Sequence, residues 1–547
     1  MTTPAPFPRW ARSAALAALM CSAAPAALAQ AVTTAAPQPS GISQEQALSL
    51  AARLDALEKR NDELEAQVSD LKAQVAAGEG AIREEVHAQP TVAFNGARPV
   101  FATADGKFTL TPHVVMQLDT ASYDQADPGP TTADLRRSGP GLGGSASNVD
   151  LAHARNLKAG DLFRRARIGI DGKAFGDWDY RILFDFGGAG VENTGQLYET
   201  WVQYNGFKPA HIRIGAFSPS LGLEDQGSTN GMPFLERSTA VDLARGLAAG
   251  DTRTAAQLFA YDDRWFAAAA VTGRTIGVLN TGTATAVPQT FGDQLGYTGR
   301  FAGTPFRGPG WLVHLGVNGS YVESAPNGSG PGTNGVTPVT SGAVSFSDTP
   351  EIRVDATKLI NTGNIPARHA ETLGGEFAAQ RENLLLQAEY QRLGVQRADG
   401  IADPHFSGYY VEGTWLLTGE TRAYNVQTAA FDAPPVTHPF SFGHGGWGAW
   451  ELGVRYSDSD LNYQPGAAGT LETGASIRGG EEKNLTAGIN WYWNSLARVM
   501  LDYQRVRISR LSPASSATAA STIWFTPIGA EIGQSFNVWS VRTQFAF

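Results

Sequence analysis

From about residue 107 to its last residue the chain is written with a period of two. Ala166, Ile168 and Ile170 alternate with Arg165, Arg167 and Gly169. Tyr180, Ile182, Phe184 and Phe186 alternate with Arg181, Leu183 and Asp185. Leu384, Leu386, Ala388 and Tyr390 alternate with Gln387, Glu389 and Gln391, and Trp450, Leu452, Val454 and Tyr456 with Glu451, Gly453 and Arg455. Successive side chains of a strand point to opposite faces, so this pattern makes strands with one apolar and one polar face. After residue 30 there is no apolar run long enough for a membrane-spanning helix. Charged residues are 17% of the chain, against about 25% in soluble proteins. A soluble antiparallel sheet and a membrane β-barrel both fit so far.

Three features favour the barrel. The polar faces carry full charges at strand centres, which a water-filled lumen tolerates. The apolar faces end in aromatics such as Trp178, Tyr180, Tyr390, Trp450, Tyr456, Trp491, Trp493 and Trp539, as at the girdles of a bilayer-spanning barrel. Connections alternate between short and long. Seventeen segments are strand-like. Two chain ends on one side of a membrane require an even number, so the segment 351–358, between Pro- and Gly-rich stretches, is placed in an inward or extracellular loop. Sixteen strands remain, among them one near 371–380 and one near 483–493. The exception to short turns on the short side is 419–446, for which the lumen is one destination. The expected fold is all-β: a 16-stranded antiparallel transmembrane barrel over 107–547, preceded by a short coiled-coil helix.

The first 29 residues read as a secretory signal. Arg9 and Arg12 precede an apolar stretch ending in Ala27-Leu28-Ala29. Cys21, the one cysteine, lies inside it, so the mature chain would carry no thiol, disulfide or Cys-bound metal. A linker, 30–44, leads to a heptad pattern over 45–77. Leu50, Leu57, Leu64 and Leu71 take one core position and Leu54, Asn61, Val68 and Val75 the other, as in a coiled coil. An amphipathic helix packed on its own domain is the alternative. Gly78, Gly80 and Pro90 are expected to end the helix and open a second linker, 78–106.

Several stretches resemble the phosphate-selective porin O and P family of bacterial outer-membrane porins. They are Leu162-Phe-Arg-Arg-Ala-Arg-Ile-Gly-Ile, Tyr204-Asn-Gly-Phe, Leu221-Gly-Leu-Glu-Asp-Gln through Phe234-Leu-Glu-Arg-Ser, Phe406-Ser-Gly-Tyr-Tyr-Val-Glu-Gly, Asn484-Leu-Thr-Ala-Gly-Ile-Asn-Trp-Tyr and Arg498-Val-Met-Leu-Asp-Tyr. The likeness covers about 91–547. It implies a trimeric porin with a sixteen-stranded barrel, whose third loop narrows the pore and whose basic residues attract anions, phosphate among them. The terminal Phe547 on an alternating strand resembles the signal read by the barrel-assembly machinery.

Alternation turns Arg165, Arg167, Arg181, Arg213, Arg455 and Arg542 into the lumen, with Asp185 and Glu199 among the facing acids. Arg165 and Arg167 either meet solute or form a wall-supporting ladder with Asp185 or Glu199. The expected constriction, near 218–250, holds Glu224, Asp225, Glu236, Arg237, Asp242 and Arg245. The chain carries 42 basic and 52 acidic residues, a net charge of −10, which argues against nucleic-acid binding. No His-x-x-x-His or His-Glu-x-x-His pattern appears, so no metal, cofactor or catalytic residue is expected. The expected partners are outer-membrane lipid, small hydrophilic solutes or anions, and two further copies of the chain. A structural or adhesive envelope anchor with no transport role is the alternative function.

Mature protein extracted from membranes is expected to begin near Gln30 and to show no thiol when denatured. N-terminal mass spectrometry and a thiol assay check this; a thiol from Cys21 would contradict it.

Overall fold

The computed structural model describes residues 43–88, 90–95, 98–126, 157–188, 195–250, 253–276, 295–323, 343–398, 400–443, 445–512 and 529–547. The expected signal peptide and most of the first linker lie outside these residues. The chain divides into two units, 1–87 and 88–547.

In the first unit, helix α1 spans Gln44–Ala88. Gly78 and Gly80 do not end it, contrary to the sequence expectation. A glycine inside a helix costs only about 1 kcal/mol relative to Ala, and the surrounding Ala and Glu residues are good formers. Pro90, which cannot continue the i to i−4 bonding, lies just past the observed end. Leu50, Leu57, Leu64 and Leu71 are exposed along one stripe, and the Asn61 amide donates to Glu65 at 3.4 Å.

In the second unit, a hairpin pairs residues 91–95 with 98–102 and hands the chain to the barrel. The barrel strands are β1 (Thr109–Gln125), β2 (Gly160–Ala174), β3 (Trp178–Asp185), β4 (Gln196–Phe207), β5 (Ala210–Phe217), β6 (Arg253–Tyr261), β7 (Trp265–Thr275) and β8 (Gly296–Gly308). They continue as β9 (Trp311–Val322), β10 (Ile365–Arg381), β11 (Leu384–Arg397), β12 (His405–Leu416), β13 (Ala449–Tyr463), β14 (Ile477–Tyr492), β15 (Ala497–Ser509) and β16 (Gln534–Ala546). Each pairs antiparallel with the next, and β16 returns to β1 with Arg542 opposite Asp119. Closure leaves no edge whose N–H and C=O groups would face hydrocarbon unpaired.

The sixteen strands match the expected sixteen one for one. Two start six residues earlier than their apolar alternation. β10 starts at Ile365 rather than 371, and β14 at Ile477 rather than 483. The added residues are on the long-loop side, where backbone pairing continues without an apolar outer face. Alternation sorts the faces as predicted: on β13, Glu451, Arg455 and Ser457 are buried inside while Val454 is exposed outside. Residues 343–364 fold inward, burying Phe346, Ile352, Leu359 and Ile360 in a core shared with Leu235, Leu243 and Leu247.

Gly215 on β5 has φ +144, and a Cβ there would lie 2.2 Å from the Thr200 carbonyl oxygen and 2.6 Å from the Trp201 Cα. Gly215→Val is expected to destabilise the barrel by about 1–3 kcal/mol. The midpoint of heat-dependent mobility on SDS gels should fall; an unchanged midpoint would contradict this.

Candidate functional site: the lumen and the loop folded into it

The segment 218–250 leaves β5, enters the lumen and returns to β6. A short helix, α2 (Leu223–Gln226), and a longer one, α3 (Thr239–Ala248), bracket an irregular stretch. α3 buries Ala240, Val241, Leu243, Ala244 and Leu247. Asp242 in its first turn and Arg245 in its last suit the helix dipole. The irregular stretch has no neighbouring strand for its carbonyls, so other donors must meet them. Lumenal arginines do so, Arg498, Arg455 and Arg542 from the wall and Arg422 from the segment after β12. Arg498 Nη1 donates to the Met232 carbonyl at 2.7 Å, Arg422 Nη1 to Gly231 at 2.7 Å, and Arg455 Nη2 to Glu236 at 3.0 Å. Arg542 donates to the Leu235 carbonyl, and the Asn490 amide to Pro233 at 2.7 Å.

The same arginines neutralise the loop's acids. Arg542 Nη2 donates to Glu236 at 2.6 Å while its Nε meets Asp119 at 2.6 Å. Arg164 Nε adds a 2.8 Å bond to Glu236, and Arg165 a 3.4 Å one. Burial alone would raise the Glu236 carboxyl, but Arg164, Arg165 and Arg542 outweigh it and hold the group well below its ordinary range. Arg455 reaches Glu224 at 3.0 Å and, from the inward segment 343–364, Glu351 at 2.6 Å, with its guanidinium 4.6 Å from the Phe234 ring centre. Glu351 sits at φ +63, a conformation uncommon for a side-chain-bearing residue. Its carboxylate also accepts from Ser457 at 2.7 Å and Gln504 at 2.8 Å. Arg353 ties this segment to α3 through Asp242 at 2.5 Å.

A third insertion comes from the short-turn side. After β12, residues 417–433 turn into the lumen. Arg422 forms a bidentate pair with Glu451 at 2.9 and 2.7 Å. Arg300 of β8 donates to the carbonyls of Thr428 and Ala429 at 2.6 and 2.8 Å, while pairing with Glu376. Only the first half of the expected 419–446 insertion goes inward, because Phe440 and its neighbours pack elsewhere, on Trp491 and Trp493.

These bonds cover the wall from β11 round through β16 to β2. The inner faces of β3 to β5 are left more open. Side-chain exposure there is 29% for Arg181 and 16% for Glu199, and 21% for Asp171 on the adjoining end of β2, against 0% for Arg542 and 1% for Arg455. On this wall Arg181 meets Asp171 at 2.6 Å and Glu199 at 2.9 Å. Arg213 differs. Among the described residues it has no carboxylate within 4.0 Å; Nε and Nη2 donate to the Gln203 side chain at 2.9 and 2.7 Å. Its guanidinium lies 4.3 Å from the Trp201 ring centre, a cation–π distance.

All six predicted lumenal arginines therefore face inward, but they do not form one group. Arg455 and Arg542 anchor the loop. Arg165 bonds Gln117 at 2.7 Å and reaches Glu236, not Asp185 or Glu199. Arg167 pairs with Asp185 at 2.8 Å and stacks on Tyr198 at 3.6 Å. Of the loop residues, Asp225 pairs with Arg245 at 2.5 Å, and Arg237 donates to the carbonyls of Glu224 and Asp225 at 3.4 and 3.3 Å. Arg164 and Tyr198 escape a strict alternation because each is the extra residue of a register shift. Such a bulge turns an additional side chain inward. Arg300 and Arg498 sit at regular inward positions, and parity alone would have found them.

A closed sixteen-stranded barrel, apolar outside and charged within, is the architecture of an outer-membrane porin. The chain belongs to the phosphate-selective porin O and P family, whose family model matches residues 142–547. It is 26% identical over 394 residues to Porin O of Pseudomonas aeruginosa, covering 67% of this chain and 81% of that protein. An uncharacterized protein of Caulobacter vibrioides is 25% identical over 309 residues, 56% of this chain and 57% of its own. Among solved structures, OmpT, an outer membrane protein of Vibrio cholerae, aligns over 81% of this chain and 98% of its own at 10% identity and a TM-score of 0.44. The outer membrane channel DcaP of Acinetobacter baumannii aligns over 80% and 97% at 8% identity and a TM-score of 0.40. The chain is thus a channel protein of the bacterial outer membrane.

Glu236→Gln removes a charge that faces three arginines. Breaking a buried pair of this kind costs about 3–5 kcal/mol. Amide exchange over 221–248 should accelerate at least tenfold while the strands keep their protection; equal protection would contradict the clamp. Because the folded Glu236 is depressed, its contribution is present above the ordinary carboxylate range and is lost only as pH falls through the depressed value. Exchange in this loop should stay slow in wild type at pH 4.5 and rise only in stronger acid.

Proposed function

We propose that the protein passes small hydrophilic solutes, and anions in preference, by passive diffusion along the wall of β3 to β5, with 218–250 as the constriction. The observation that carries this reading is Arg213, a lumenal guanidinium with no carboxylate within 4.0 Å among the described residues, lying over the Trp201 ring. A guanidinium keeps its charge at any working pH and forks onto oxyanions. Phosphate is one such anion, consistent with the family's description. Asp171 and Glu199 beside Arg181 temper the field, so selectivity is weak. Local field decides selectivity in a narrow pore more than total charge does.

On the same reading α1 is a homomeric coiled coil on the periplasmic side, trimeric as porins commonly are. Its exposed stripe of Leu50, Leu57, Leu64 and Leu71 supports this. Phe547, whose N–H donates to Val114 O at 2.9 Å, is the residue offered to the barrel-assembly machinery.

In planar bilayers the wild type should conduct ohmically, and Arg213→Ala should move the reversal potential towards cations. The shift should be largest at 0.01 M salt, where the screening length is about 30 Å, and small at 1 M, where it is about 3 Å. Arg165→Ala should alter loop stability more than selectivity. A wild-type reversal potential in Arg213→Ala would contradict the reading, and a folded barrel without conductance would favour an anchor instead. Separately, Leu57→Asp should lower the oligomeric mass of residues 43–88 in analytical ultracentrifugation; a segment that is monomeric before mutation would count against the coil.

A further inference from the structure

The segment between β12 and β13 divides in two. Residues 417–433 enter the lumen. Residues 434–443 and 445–448 instead lie against the outer face at the foot of the barrel. Phe440 N–H donates to the Trp493 carbonyl at 2.7 Å, Gly448 N–H to His438 at 2.9 Å, and the Trp491 indole to the Trp447 carbonyl at 2.8 Å. The Phe440 ring centre lies 4.7 Å from Phe442 and 5.0 Å from Trp491, which stacks on Trp450 at 5.1 Å. Trp450 and Trp491 face each other across β13 and β14 on the apolar side of both strands. The lipid-facing girdle therefore runs off the wall and onto the turn. It ends in Phe442 and Trp447, which are 89% and 66% exposed.

Two further observations bear on what covers these rings. From Ala433 to Gly448 there is no Asp, Glu, Lys or Arg, and the adjacent β14–β15 turn, Trp493-Asn-Ser-Leu, has none either, whereas the short turns after β10 and β6 carry Arg381-Glu382 and Asp262-Asp263-Arg264. On β13 the outward apolar stretch runs from Trp450 to Tyr456, and the next outward residue, Asp458, pairs with Lys483 at 3.8 Å. Six residues span ~20 Å along a strand at ~3.4 Å each, or ~16 Å along the axis at a tilt of ~40°, short of the usual ~25 Å apolar band. The same spacing separates Trp415 from Tyr409 on β12 and Phe545 from Trp539 on β16. Where the band is this short, as on β12 and β13 beside the turn, the interfacial zone of the bilayer comes down to the level of the short turns.

We propose that residues 438–443 and 445–448 form a membrane anchor that places Phe442 and Trp447 at the boundary between headgroups and acyl chains of the inner, phospholipid leaflet. The Trp447 indole, an apolar ring with one N–H handle, favours that depth, and the wholly apolar Phe442 ring gains by leaving water for the acyl chains. Left in water they would be uncovered apolar surface. The charged short turns stay in the periplasm. Because the other half of the segment carries Arg422 and Ala429 into the lumen, the anchor also gives that insertion a fixed outer end.

The test uses the full mature chain, which the sequence reads as thiol-free, as Phe442→Cys carrying a nitroxide, in vesicles of phosphatidylethanolamine and phosphatidylglycerol. Asp263→Cys in the β6–β7 turn is the aqueous control. The label at 442 should be relaxed more by oxygen than by a water-soluble nickel chelate, with the opposite order at 263. A label at 442 that matches 263 puts the segment in water and overturns the proposal. A label shielded from both reagents puts it against protein, such as a second copy, and overturns it too. Phe442→Asp with Trp447→Asp supplies an independent reading: vesicle-bound barrels should unfold at a lower temperature than wild type, with no such loss in detergent. Equal loss in both media would contradict the anchor.

Discussion

Irregular backbone inside a barrel has to find hydrogen-bond donors that a sheet would otherwise supply. In this protein lumenal arginines supply them, three from the wall and Arg422 from the insertion after β12. Arg498, Arg422, Arg455 and Arg542 each donate to a carbonyl of the loop 218–250. Arginine suits the task, because one guanidinium carries five donors in a fixed fork and can meet a carbonyl and a carboxylate together. Arg455 does this for Glu236 O, Glu224 and Glu351, joining the wall, the loop and the segment 343–364. Removing one partner would leave buried charge uncompensated, which is why the insertions are held as a unit.

This use of arginine divides the lumen. Guanidiniums spent on the loops are closed to solute, however basic the lumen looks in sequence. The wall of β3 to β5 remains, where Arg181 is shared between two acids and Arg213 leans on Trp201. Gly215 leaves the strand beside Trp201 without a side chain, since a Cβ there would meet Trp201 and Thr200. On the proposed reading, the wall residues that hold the constriction and the wall residues left for solute are therefore different sets, although both lie on inward strand positions.

Much of this is legible in the sequence. Period-two alternation yields sixteen strands and the inward direction of Arg165, Arg167, Arg181, Arg213, Arg455 and Arg542. Pairing across the lumen is not carried by alternation. The bond from Arg542 to Glu236 joins residues 306 positions apart, and no local pattern records it. Bulges break parity too: Arg164 turns inward beside Arg165 only because the register shifts there. The turn after β12 reads as one segment, yet its first half follows Arg300 and Arg422 into the lumen and its second half follows Trp491 and Trp493 outside. The end of α1 lies beyond the expected one because glycine's cost in a helix is modest beside proline's.

On the proposed reading solute passes where the wall remains open, and cysteine accessibility in a conducting channel tests that most directly. The mature chain is read as having no thiol of its own, so a single introduced one reports alone. A small charged methanethiosulfonate reagent added to Glu199→Cys channels should step the single-channel current down. The same reagent on Thr486→Cys, an inward position of β14 that is fully buried, should leave the current unchanged. Modification at 486 with none at 199 would place the path on the opposite wall and contradict the account.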